Sequence, residues 1–323
     1  MPTLNNTTIA ALLTASLAAP AVAQQIAAFN GPCDASAAVA LDATHFVVGN
    51  DEYNILHVYR QGQPAPGASL NLSNFLATAA DEESDIEGAA AIGTRIYWIT
   101  SHGRNSKGKA RPSRQRFFAT EIVPGQPPTV KPVGRAYADL LRDMSAADPL
   151  KPYRLDEAAR RPPEADGGLN IEGLAATADG KLLIGLRSPL QEQRALLIPL
   201  DNPDEVIAGK RARFGAPIEL DLERRGIRSI ERFGASYLIV AGPSADRGSF
   251  ALFRWSGQSG DQPTPVTGSD LKDLRPEALF ALPGSSRAQL LSDDGGVAIG
   301  GVECKKLPEA DQSFRSLIVT PRE

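Results

Sequence analysis

Three glutamates, one arginine and one serine occupy the same place in five similar segments of the chain. They are Glu87, Glu172, Glu277, Arg228 and Ser36, each the third residue of its segment. Three carboxylates drawn to one spot raise one another's pKa unless a positive charge intervenes. Two chemistries meet that need. Arg228 can pair with two of them and make a salt-bridged plug, or a hard cation such as Ca²⁺ can take the carboxylate oxygens. Fifteen residues beyond each position stand Asp51, His102, Arg187, Pro243 and Ser292, with Asn50, Arg104, Ser188, Asp246, Asp293 and Asp294 close by. Arg104 and Arg187 suit an anion such as phosphate, and His102 suits a general acid or base. His45 and His57, the other two histidines, fall in strand-like runs and read as structural.

The elements that position these residues follow from the repeat. The segments are DASAAVALDATHFVVGND from Asp34, DIEGAAAIGTRIYWITSH from Asp85, NIEGLAATADGKLLIGLRS from Asn170, GIRSIERFGASYLIVAGPS from Gly226 and RPEALFALPGSSRAQLLSDDG from Arg275. Each reads as a strand, a tight turn and a β-branched or aromatic strand. Third and fourth strand-like runs follow, ILHVYR and SLNLSNF after the first copy for example. Four strands per unit of about 50 residues is a propeller blade. The spacing therefore predicts an all-β, five-bladed β-propeller over residues 24–323. The last copy has three strands, so QQIAAFNG near the N-terminus supplies the fourth and closes the ring, which removes free sheet edges.

First strands line a propeller's channel, so both sets of five residues gather at one mouth. Ligand contacts there are expected from Asp51, Arg228, Asp293, Asp294 and Tyr153. Tyr153 comes from a stretch over residues 140–169 that breaks the repeat and reads as a short helical insertion, a lid or surface loop. Cys33 and Cys304 are the only cysteines. A bridge between them would clamp the two ends of the ring, worth about 4–5 kcal/mol by loop entropy.

Composition narrows the classes. The net charge of −4 offers no overall attraction to nucleic acid or anionic lipid. The apolar run from Ile9 to Ala23 ends in Ala21-Val22-Ala23, the pattern of a secretory signal over residues 1–23, although no Lys or Arg precedes it. The run is too short for a comfortable membrane span. A periplasmic or secreted monomer with no membrane segment is expected. In the second segment, SHGRNSKGKARPSRQRFF concentrates basic residues that could hold an anion. Its GRNSKGK is not a P-loop, because Ala110 stands where Ser or Thr would meet Mg²⁺. Nucleophile-elbow, zincin and paired-cysteine metal motifs are missing from the sequence.

The strings DIEGAAAIG, TSHGRNSKGKARPSRQRFFATEI, GGLNIEGLAATADGKLLIGLRSP, GIRSIE and RPEAL resemble the bacterial family called domain of unknown function 3616, over nearly all of the mature chain. More distantly, the EG-type first strands are similar to phytase-like esterase propellers and calcium-activated nucleotidases. Those resemblances imply a carboxylate-lined channel, Ca²⁺ and phosphoester substrates. Ser36 and Arg228 depart from an all-acidic ring. The expectation is an exported propeller that binds a small anionic ligand at the channel mouth, and as an enzyme a phosphoester hydrolase. Glu87, Glu172 and Glu277 would then hold metal, with His102, Arg104 and Arg187 catalytic. The alternative is a non-catalytic protein-interaction scaffold of the cell envelope.

Overall fold

The computed structural model describes Met1 and residues 26–321, apart from 80, 246–247, 269 and 272. The expected signal over residues 1–23 therefore lies almost wholly outside the described residues, as does Asp246. The described residues form five four-stranded antiparallel sheets and a two-stranded ribbon of Ala298–Ile299 with Val302–Glu303. Blade 1 has strands Ala37–Ala40, His45–Gly49, Ile55–Arg60 and Ala68–Asn71. Blade 2 has Ile86–Ile92, Arg95–Thr100, Phe117–Val123 and Thr129–Tyr137. Blade 3 has Asn170–Ala176, Leu182–Ser188, Ala195–Leu200 and Ile218–Leu220. Blade 4 has Gly226–Phe233, Ser236–Gly242, Ala251–Trp255 and a last strand of only Thr264–Pro265.

Blade 5 is a composite. Pro276–Ala281, Ala288–Ser292 and Ser313–Val319 come from the end of the chain, and Ile26–Asn30 adds the outer strand by pairing Ile26 with Leu317 and Asn30 with Ser313. The ring closes as the strand arithmetic required. Cys33 and Cys304 form a disulfide, Cα atoms 5.9 Å apart, across 271 residues of sequence. Aromatic packing holds the same seam: Phe29 stacks on Phe314 and meets Phe46 edge-on, and Tyr59 donates to Asn30 O at 2.8 Å.

Each seam between blades has its own apolar core. Trp98, Phe118, Leu56 and Ile86 fill the seam between blades 1 and 2. Between blades 2 and 3 the core also takes in Leu140, Met144, Leu150 and Leu155. These come from the insertion, whose helices Leu140–Ala146 and Leu155–Ala158 flank a 3₁₀ turn over Asp148–Tyr153. Leu140 and Met144 lie four apart on one helical face, and both are fully buried. The helical part of the insertion is a wedge in the core. Among the described residues no helix is long and apolar enough to cross a membrane.

Candidate functional site

A β-bulge recurs in the first strand of four blades and puts the ring residue at the channel. In blade 2, Ile86 lies opposite Thr100 and Gly88 opposite Ile99, leaving Glu87 as the extra residue. Glu172, Arg228 and Glu277 are left over in the same way in blades 3, 4 and 5. A bulge frees one residue from the ladder and re-aims its side chain. Ser36 stands just ahead of the first strand of blade 1, and its hydroxyl donates to Ile86 O at 2.6 Å. The glycine after each of the first two bulges reflects crowding at the axis. A Cβ on Gly88 would lie 3.0 Å from Glu172 O, and one on Gly173 2.7 Å from Ile227.

The glutamates meet. Each of Glu87, Glu172 and Glu277 offers an oxygen within 4.8 Å of the others, and Asp51, Asp85 and Glu87 form a second such group sharing Glu87. Arg228, 6% exposed, ion-pairs with Glu277, and its Nε lies 2.9 Å from Glu172 Oε2. That second contact lacks the alignment of a hydrogen bond, so Glu172 Oε2 is buried without a donor. Glu172 Oε1 is served by Arg187 at 3.2 Å and by Asn170 Nδ2 at 2.9 Å. Asp85 pairs with Arg114 at 3.0 Å. Asp51 Oδ1 is shut off from solvent and has no hydrogen-bond partner.

The charge balance shows in the acidities. Burial pushes Glu87 well above the usual carboxylate range, and Glu172, Asp85 and Asp51 add to it against the opposing pull of Arg228. Asp51 is raised by burial and by Asp293, Asp85 and Glu52. Asp85 rises to about 6 through burial, with Arg114 restraining it. Asp34 is pushed up to about 10 by burial and by a hydrogen bond with Asp293. Burial would raise Asp293 too, but that hydrogen bond, the Gly295 N–H and Arg228 hold it below its usual value. Their surroundings thus favour the neutral form of Asp34 and the ionised form of Asp293. Gly295 must lack a side chain here, since a Cβ would fall 1.9 Å from Asp34 Oδ1.

These groups open into a cavity of about 1080 Å³. Among the described residues, eight acidic side chains (Asp34, Asp51, Glu87, Glu164, Glu172, Asp270, Glu277, Asp293) and four basic ones (Arg187, Arg228, Arg275, Lys305) line it. Asp51, Arg187, Arg228, Asp293 and the three glutamates are here as the repeat spacing predicts. Asp34, Glu164, Asp270, Arg275 and Lys305 join them without such a prediction. For two of these the chain carries a signal, because Asp34 and Lys305 directly follow the bridged cysteines.

The other expected residues lie outside the cavity lining. His102, 1% exposed, sits in a left-handed backbone conformation with φ of 55°. Its Nδ1 is 2.8 Å from Thr100 O, an arrangement that makes Nδ1–H the donor, and Nε2 is left buried without a partner. Burial lowers its pKa to about 4. Arg104 donates to Ala159 O and Gly108 O. Arg114 and Arg116 hold Asp85, Glu83 and the carbonyls of Leu76 and Pro112. These three arginines of the basic loop are thus staples of the structure. Tyr153 donates to Glu219 on the outer strand of blade 3, at 3.0 Å. Asp294 binds Arg315 and Ser292. The fifteen-residue step spans turns of different length, so His102 and Pro243 fall two residues past the pair at the bulge, Arg187 one, and Ser292 within it.

Solved structures with this outline include glutaminyl cyclase of Myxococcus xanthus, at 13% identity over 92% of this chain and 95% of that one, TM-score 0.47. Another is the PQQ-bound aldose sugar dehydrogenase of Streptomyces coelicolor, at 12% identity over 93% of this chain and 100% of that one, TM-score 0.46. Both likenesses are of outline only. No curated protein matches the chain. A family model does, over residues 34–120 and 136–289, a span that takes in the bulged glutamates, Arg228 and the basic loop. The chain belongs to the family described as "Protein of unknown function (DUF3616)".

Proposed function

We propose that this protein is exported and binds a small anionic molecule, a phosphoester by preference, at the charged mouth of its channel, together with a divalent cation. The observation that carries the reading is the excess of buried acid over base in a cavity that also presents arginines. Burial favours the neutral forms of Glu87 and Asp51, and a cation that took their oxygens in place of those protons would bring positive charge to an anion beside it. The residues fit a hard cation: the donors are all oxygen, and Asp51 Oδ1 and Glu172 Oε2 are buried without hydrogen bonds. Glu87, Glu172 and Glu277 would hold Ca²⁺. When bound, it would supply positive charge that draws a phosphoryl group and polarises it.

The chain's own side chains supply the rest. Arg187, Arg228 and Arg275 face the cavity and suit phosphate oxygens. The Asp34–Asp293 pair holds a proton at the cavity wall and could deliver or receive one, a role that buried His102 is poorly placed to fill. The disulfide fits an oxidising compartment outside the cytoplasm.

Calorimetry with inorganic phosphate and methyl phosphate, with and without Ca²⁺, tests this. Binding that requires Ca²⁺ and is lost in Glu87→Gln is expected. No heat with either anion under either condition would refute it. Phosphate release from methyl phosphate would separate a hydrolase from a binding protein.

A further inference from the structure

The cavity has two unlike walls. The channel side carries the charges. The side between blades 4 and 5 is formed by Phe250, Leu252, Pro265, Val266, Leu271 and Leu274. Leu252, Leu271 and Leu274 belong to the apolar core of that seam, with Phe250 and Val266 packed against it. They reach the cavity because the outer strand of blade 4 is only Thr264–Pro265, against the nine residues of Thr129–Tyr137 in blade 2. Arg228 joins the walls, its guanidinium carbon 5.5 Å from the centre of the Phe250 ring.

At about 1080 Å³, the space is at the upper end of ordinary small-molecule sites and far exceeds what phosphate and a cation fill. A purely polar ligand would leave the accessible apolar surface of Phe250, Pro265 and Val266 in front of the leucines wet, which is unfavourable. We propose that the ligand is a soluble phosphomonoester of an apolar alcohol, its phosphate against Arg228 and Arg275 and its hydrocarbon body on the Leu252–Val266–Leu271–Leu274 wall. This rests on the anion site proposed above and adds the class of molecule that occupies it.

A homologous series decides it. Inorganic phosphate, methyl, butyl and hexyl phosphate are titrated into the protein with Ca²⁺. Affinity should rise about fourfold for each methylene buried, with an increasingly negative heat-capacity change. Val266→Asn and Leu271→Asn should flatten that rise while leaving inorganic phosphate binding unchanged. Val266 is only partly buried, so its variant keeps the test open if Leu271→Asn misfolds. Equal affinity across the series would overturn the inference and leave the anion site standing. No binding by any member would remove both. Hexanol binding as tightly as hexyl phosphate would overturn the assigned head group. Vesicles doped with phosphatidic acid form a separate arm, and binding to them alone would make the ligand a membrane lipid and overturn the soluble one.

Discussion

The two ends of the channel are built from the same strands and differ sharply. At the bulged end, three glutamates and Arg228 converge, with Asp34, Asp51 and Asp293 beside them. At the other end, the strands finish in Val39, Ala91, Ala176 and Gly234 around a cavity of about 320 Å³. Glu231 and Arg232 are the charged residues there, and the Ala281 N–H donates to Glu231 at 3.4 Å. Closing five sheets into a ring therefore does not require a cluster of acidic side chains at the axis. Small apolar residues and the single carboxylate of Glu231 serve at one mouth, against the crowd of carboxylates at the other. They also carry a cost that a propeller need not bear, since buried ions are expensive unless paired.

Four substitutions would break or sharpen that contrast. Arg228→Met should have the largest effect. It leaves Glu277 buried without its guanidinium and Glu172 with Arg187 alone, and should lower stability by about 3–5 kcal/mol in chelator. Added Ca²⁺ should recover part of that in thermal melts. A Tm unchanged in chelator would mean that the charged mouth is no more demanding than the apolar one.

His102→Asn comes next and is visible only in acid. The folded-state pKa of His102 is depressed to about 4. Its neutral form is therefore favoured in the native state, with stability present above about 6.5 and lost as pH falls toward 4. That loss is about 3 kcal/mol. Asparagine tolerates the left-handed backbone there and should remove the loss, shown by denaturant midpoints that no longer fall over this range.

Gly88→Ala pushes a methyl group against Glu172 O, Ile99 and Leu174. A cost of about 1–3 kcal/mol is expected from overpacking, with weaker Ca²⁺ binding because the bulge shifts.

The smallest effect belongs to the quiet mouth. Burial raises the pKa of Glu231 to about 7, so its contribution is complete below about 4.5 and lost as pH rises through 7. Glu231→Gln should flatten that slope, by about 1 kcal/mol once channel water is allowed for, and leave Ca²⁺ binding untouched. A loss of Ca²⁺ affinity in this variant would erase the distinction between the ends.

Much of this was legible in the chain. The repeat fixed blade number, the closing strand and the disulfide, because each is a property of spacing and count. The glutamate ring was legible too, since the same bulge recurs at the same point of four of the five repeats. The second set was legible only in part, since Asp51 and Arg187 line the cavity and His102 does not. Equal sequence steps crossed turns as different as GT and PGSS, so His102 and Arg187 fall at different points of their hairpins. The basic loop could not reveal that Arg104, Arg114 and Arg116 are spent on Asp85, Glu83 and nearby carbonyls. Nor could a pattern of strands show that Lys305, from a turn late in the chain, reaches the cavity beside Asp51 and Asp34.

The most direct test is proton release on Ca²⁺ binding, read by calorimetry at pH 7 in buffers of different ionisation enthalpy. Carboxylates that burial keeps protonated must ionise to take a cation. The wild-type protein should bind Ca²⁺ and release protons, and Glu87→Gln should do neither to the same extent. Ca²⁺ binding without proton release, or no binding at all, would contradict a mouth whose acids are held in wait for a cation.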